Sequence, residues 1–176
     1  MTGFPNKVDL YPDIALPGQL VTNEDLVTDA RGFLSDGTLV PGGFAFSNTA
    51  YTANDTRDPQ GANFFYAGAT VTDGEAQLVG LVVREAIGFV DLPTQGANNT
   101  YYAGANVSIA LRGKVYAQVP EGLTPTEGQA VLCDPKTGAI TYGASGAAND
   151  TGWRVCLLPN NRNAEGASIV IYQNFG

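Results

Sequence analysis

"VSIALRGKVYAQV", residues 107–119, alternates Val107, Ile109, Leu111, Val115, Ala117 and Val119 with Ser108, Arg112, Lys114, Tyr116 and Gln118. A helix repeats its apolar face every three to four residues, whereas a period of two turns one face of a strand toward a core and the other toward water. Gly113 falls on the core side midway along this ladder. A missing side chain there marks a bulge or a corner in a curved sheet.

The strand pattern extends in both directions. "QLVGLVVREAIGFVDL" (77–92), "GWRVCLLP" (152–159) and "ASIVIYQNF" (167–175) read as further strands, and "GFLSDGTLVPGGFAFS" (32–47) sets Asp36-Gly37 between apolar runs, a hairpin signal. Residues 22–31 form the single helical candidate, with Thr22 placed to cap, Asp25 at its third position and Gly32 to stop it. "QGANFFYAGATV" (60–71) echoes "QGANNTYYAGANV" (95–107). Two copies fall short of the three or more that a solenoid needs, so they read as two similar loop-to-strand transitions. Their aromatics, Phe64, Phe65, Tyr66, Tyr101 and Tyr102, are core plugs or, alternatively, contact residues. The fold expected is all-β: a compact β-barrel or jelly-roll-like domain over residues 26–176, preceded by an extended N-terminal arm over residues 1–25.

The arm follows from its prolines. Pro5, Pro12 and Pro17 each remove a backbone donor and push the preceding residue toward extended geometry, which rules out a helix or a central strand. Its apolar residues Phe4, Val8, Leu10, Tyr11, Ile14 and Leu16 are too many for a segment left in water, so they are the candidate contact residues. An edge strand folded back on its own domain is the alternative.

Composition excludes several function classes. With 176 residues the chain can bury roughly 70% of its unfolded surface without staples. Charged residues make up 15% of it against about 25% in an ordinary soluble protein, and there are 22 glycines, which suits strands and large contact areas. The net charge of −8, with nine scattered basic residues, argues against nucleic acid. Histidine is absent, which removes the commonest general base and metal ligand. No apolar run approaches the ~20 residues of a membrane span, and the N-terminus lacks the pattern of a secretion signal. Synthesis in the cytoplasm is therefore expected, with retention there or export by cell lysis, and the Asn-x-Ser/Thr triplets at Asn54, Asn98, Asn106 and Asn149 read as accidents of composition. Cys133 and Cys156 lie in apolar strand contexts and are most simply buried free thiols, with a mutual disulfide as the alternative.

One stretch looks reactive. "LCDPKTGAIT" (132–141) superficially resembles the Asp-Lys-Thr-Gly run in which certain ion pumps phosphorylate an aspartate, but Pro135 separates Asp134 from Lys136, and Ala139 stands where a second threonine belongs. A turn accounts for every residue: Asp134 at the first corner accepting a bond from Thr137, Pro135 presetting φ, Gly138 left-handed, and Val131-Leu132 and Ile140–Tyr142 as flanking strands. Glu24, Asp25, Glu85 and Asp91 are the carboxylates that a glycan hydrolase would pair, and their spacing leaves their distances open. No catalytic residue, metal site or cofactor site is assigned.

The opening "MTGFPNKVDLYPDIALPGQL" resembles the N-terminus of phage capsid decoration proteins of the structural cement type. The resemblance continues through "VGLVVREAIGF", similar to a central Gly-x-Val-x-Arg strand, through "NVSIALRGKVYAQV" and through "GQAVLCDPKTGAITY". It covers roughly half the chain, and the Tyr- and Asn-rich segments 48–66 and 93–102 have no counterpart in it. It implies a small β domain on the outside of an icosahedral head, in the virion, whose copies clamp neighbouring major capsid proteins; because tethered arms bind with avidity, a homotrimer is expected in the same assembly, with a dimer as the alternative. A carbohydrate-binding or adhesin-like module is the competing reading, motivated by eight tyrosines and the Asn-rich loops.

Overall fold

The computed structural model describes residues 17–21, 26–28, 32–47, 65–71, 77–84, 100–156 and 169–176. Its strands are β1 (Val27–Thr28), β2 (Phe33–Ser35), β3 (Phe44–Ser47), β4 (Phe65–Gly68), β5 (Gln77–Val82), β6 (Asn106–Val107), β7 (Ile109–Gln118), β8 (Ala130–Cys133), β9 (Ile140–Gly143), β10 (Asp150–Cys156) and β11 (Ile169–Asn174). The described residues contain no helix, as an all-β chain requires. They form one mixed sheet in the order β6-β2-β4-β3-β5-β7-β11-β10-β8-β9, with β1 on the flank of β7. The pairing of β2 with β4 is parallel and the other strand pairings are antiparallel.

The path is open, so the sheet is not a closed barrel. Ser108 alone separates β6 from β7, however, so residues 106–118 pair with β2 through β6 and with β5 through β7, and that part of the path returns to its own chain. It continues outward because β7 is long enough for two sets of partners. Ile109 and Ala110 pair with β5, and Ala110 and Arg112 with β1, while residues 113–118 pair with β11. Gly113, with φ 126°, stands where one set gives way to the other, in the corner position that its place in the sequence suggests.

Two cores lie on opposite faces of the central strands. Phe44, Phe46, Leu81, Val115, Ala117, Trp153 and Tyr172 fill the first; Leu39, Ala45, Val82, Tyr101 and Ile109 belong to the second. The unbroken apolar runs of β3 and β5 follow from this, because strands covered on both faces need no polar alternation. It also explains a departure in β7, where Ala110 is fully buried and Leu111 only half-buried: Ile109 faces the second core and Ala110 the first.

Two local expectations are overturned. Asp36-Gly37 turns the chain but does not join a hairpin, because β4 lies between β2 and β3. The Asp36 carboxylate instead caps a local turn, accepting from the Thr38 N–H (2.8 Å) and hydroxyl (2.6 Å), and the chain then drives Leu39 fully into the second core. The helical candidate fails at Val27–Thr28, which are strand. Both residues are β-branched, and the backbone of β7 offers them partners that a local helix would forgo. The rest of that candidate, residues 22–25 and 29–31, lies outside the described residues.

The sequence echo flanks β2. The first copy supplies β4, parallel to β2 on one side, and the second supplies β6, antiparallel on the other. Tyr101 is fully buried and donates from its hydroxyl to the Val83 carbonyl (2.7 Å), while Tyr102 is half exposed. Phe64 lies outside the described residues.

Both cysteines are free. Cys133 stands opposite Asn149, bonding to its carbonyl, and Cys156 lies seven residues further along the chain, so the two thiols sit at opposite ends of β10. Burial, and next the charge of Asp134, pushes the Cys133 thiol up to about 12. Burial and Glu127 raise Cys156 as well, though it is only half-buried. At pH 8 a thiol reagent should therefore modify at most one cysteine per native chain, slowly, and both after denaturation. Rapid modification of two thiols in the native protein would contradict this.

Candidate functional site

The six apolar arm residues Phe4, Val8, Leu10, Tyr11, Ile14 and Leu16 lie outside the described residues, as do Glu24, Asp25, Glu85 and Asp91. Residues 17–21, the described part of the segment expected as an arm over 1–25, are paired to the sheet. They run alongside residues 114–116 of β7. Gly18 donates to the Tyr116 carbonyl (2.7 Å), Tyr116 to the Gln19 carbonyl (2.9 Å) and Val21 to the Lys114 carbonyl (3.0 Å), and Leu20 bridges to Val115. Arg84 then holds the segment twice, its backbone N–H donating to the Gly18 carbonyl (2.7 Å) and its side-chain Nε to the Pro17 carbonyl (2.8 Å).

Two Pro-Gly turns interlock at this point. Gly18 and Gly42 both have positive φ, 81° and 75°. A Cβ on Gly18 would come within 2.5 Å of the Pro41 Cβ and 2.9 Å of the Arg84 amide nitrogen, and one on Gly42 within 2.8 Å of the Gly18 nitrogen. The two backbones can approach this closely only because neither residue carries a side chain. The clasp thus comprises Pro17-Gly18, Pro41-Gly42, Arg84 and the backbone of Tyr116. Sequence reasoning missed it. The two Pro-Gly dipeptides mark turns, but nothing in their spacing says that the turns meet.

The stretch 132–141 is two strands and a turn. β8 and β9 pair from Ala130↔Gly143 to Cys133↔Ile140. The Asp134 carboxylate accepts from the Lys136 N–H (2.8 Å) and its carbonyl from the Gly138 N–H (2.8 Å), so the bonding partners are Lys136 and Gly138 rather than Thr137. Gly138 has the expected positive φ, 70°, and Lys136 is exposed at the tip. The turn also docks. Pro135 accepts from the Val71 N–H (2.8 Å), which ties this hairpin to the chain following β4.

Among the described residues, the most perturbed carboxylate is a structural one. Asp150 accepts from Arg154 (2.8 and 3.2 Å) and from the Gly146 (2.7 Å) and Gly152 (2.9 Å) N–H groups. Burial is the largest single influence and pushes its pKa up, but these bonds and the charge of Arg154 together outweigh it and bring the pKa down to about 2. A general acid needs the opposite shift. Because the folded value lies below the ordinary carboxylate value of about 3.9, the stabilisation is present above pH ~4 and is lost as pH falls through about 2. Asp150→Asn should therefore lower the unfolding temperature at pH 7, with the gap from the parent protein closing by pH 2. A gap equal at both pH values would count against this assignment.

The described residues hold no group of three or more His, Cys, Asp or Glu side chains placed to bind a metal. They carry five acidic and five basic side chains, so the whole net charge of −8 resides in the other segments.

Comparison with known proteins identifies the family. The family described as "Structural cement protein (E217 gp24/Pam3 gp6)" matches residues 4–174. The chain belongs to this phage structural cement family. Among solved structures, a chain from "The capsid of Myoviridae Phage XM1" is similar to the cement protein with a TM-score of 0.54 and 13% identity over 96% of each chain, a likeness of fold. No curated protein matches it. The match spans residues 4–16 as well as the sheet, and so includes the clasp.

Proposed function

We propose that this cement protein decorates the outer surface of an icosahedral phage head, as a virion component, and bridges neighbouring major capsid proteins without catalysing a reaction. The observation that carries the reading is the family match over residues 4–174. In this reading the arm, hanging from its root at residues 17–21, lays Phe4, Val8, Leu10, Tyr11, Ile14 and Leu16 against the shell, and the β domain self-associates as a homotrimer, with a dimer as the alternative. Neither a cofactor nor nucleic acid has a part in it.

Physical considerations favour this division of labour. Burial of apolar area gains about 25 cal/mol per Å². Ordering the chain costs about 1–2 kcal/mol per residue. A single arm binds modestly, and tethering two or three arms in one oligomer raises avidity well above any one of them. The glycan-binding alternative loses support from the tyrosines, since Tyr101 and Tyr172 are fully buried and the Tyr142 hydroxyl is engaged with that of Tyr172 at 2.8 Å.

The test is titration of expanded heads lacking decoration protein with the purified chain. Binding should saturate at a stoichiometry set by the symmetry of the shell and should survive competition by simple sugars. Displacement by a sugar, or the absence of saturable binding, would favour the adhesin-like reading.

A further inference from the structure

The clasp has a geometry that anchoring alone does not require. Hydrogen bonds to β7 already hold Gly18, Gln19 and Val21. The additional bond from Arg84 Nε falls on the Pro17 carbonyl, at the last described peptide before the arm, and the packing of Gly18 against Pro41 blocks the chain from swinging at that point. Pro17 adds a fixed φ at the same place. Rotation is thus restricted where a tether would otherwise pivot.

We infer that Arg84 and the Pro17-Gly18/Pro41-Gly42 clasp are a positioning device that fixes the direction in which residues 1–16 leave the β domain, so that the arm meets the capsid pre-aimed. This rests on the proposed docking role of the arm and adds to it. Apparent affinity scales with the fraction of molecules in the binding-competent arrangement, so a clasp that pre-aims the arm strengthens binding without touching the shell. Arg84 is on this reading a positioning residue, not a contact residue. Its Nε is turned to the Pro17 carbonyl, which gives a role to an arginine two residues beyond the apolar end of β5.

The test uses full-length variants that loosen the clasp from opposite sides. Arg84→Met removes the Nε donor and keeps the stem and the backbone bond; Gly18→Ala places a methyl group against Pro41 at a positive φ. Both should retain a cooperative unfolding transition, exchange the Gly18 and Val21 amide hydrogens faster than the parent, and bind expanded heads about tenfold more weakly, the loss expected if roughly a tenth of the molecules remain aimed. Should one variant fail to fold, the other decides. Faster exchange with undiminished head binding would overturn the inference, as would unchanged exchange in both variants. A full-length chain carrying Leu10→Asp and Ile14→Asp separates the two levels. If it loses binding while the clasp variants keep it, the arm docks but is not pre-aimed; if it binds normally, the arm reading and the inference fall together.

Discussion

A chain lacking residues 1–16 is expected to fold normally and to lose head binding by more than a hundredfold. The cut falls immediately before Pro17, so the bonds from Arg84 to Pro17 and Gly18 remain, as do those between residues 18–21 and β7. Its unfolding temperature should lie within about 2 °C of the full-length protein, since a loss of 1 kcal/mol shifts a domain of this size by only about 2–4 °C. Binding should change much more. The segment removed carries all six candidate contact residues, and each apolar side chain of this size gains about 1.5–3 kcal/mol on full burial. Forfeiting even two of them costs about two powers of ten in affinity. Sedimentation of the truncated chain with expanded heads measures the effect, and undiminished co-sedimentation would refute the arm's role.

Gly80→Ala should be the most damaging small substitution in the sheet. Gly80 lies opposite Ala45 in β3, and a Cβ there would stand 2.3 Å from the Ala110 carbonyl oxygen and 2.9 Å from Ile109 Cγ2. The obstruction is backbone and has nowhere to retreat, because Ala110 pairs with Leu81 of β5 on one side and with Thr28 of β1 on the other. Overpacking costs about 1–3 kcal/mol, and a clash with a fixed carbonyl belongs at the upper end of that range. A fall of about 6–12 °C in the thermal midpoint follows from 3 kcal/mol. Circular dichroism measures it, and a midpoint within about 2 °C of the parent would mean that β5 and β7 can separate at this point. The same glycine opens the Gly-x-Val-x-Arg stretch whose arginine closes the clasp, so one short segment admits β7 at its start and holds Pro17 and Gly18 at its end.

What was legible in the sequence was local. The alternation of residues 107–119 names a strand because its period belongs to the chain itself, and Gly113 marks the corner because a core-side residue without a Cβ has few other uses. Turn chemistry was equally readable in Asp134-Pro135-Lys136-Thr137-Gly138, apart from which N–H groups the aspartate receives. The failures share a cause. Asp36-Gly37 has the composition of a hairpin turn, yet the turn does not choose the strand's neighbour: β4, about thirty residues later, outcompetes β3 for the flank of β2. Residues 27 and 28 satisfy a weak helical pattern, and the offer of backbone partners along β7 overrides it.

The amino-acid sequence by itself determined the all-β class, the family, and the sites of the turns, because periodicity, proline and glycine act through bonds within a few residues. The tertiary structure alone decided the strand order, the division of one sheet between two cores, and the meeting of Pro17-Gly18 with Pro41-Gly42 under Arg84. Those depend on backbones far apart in the chain competing for the same hydrogen bonds and the same space. No local pattern records the outcome of that competition.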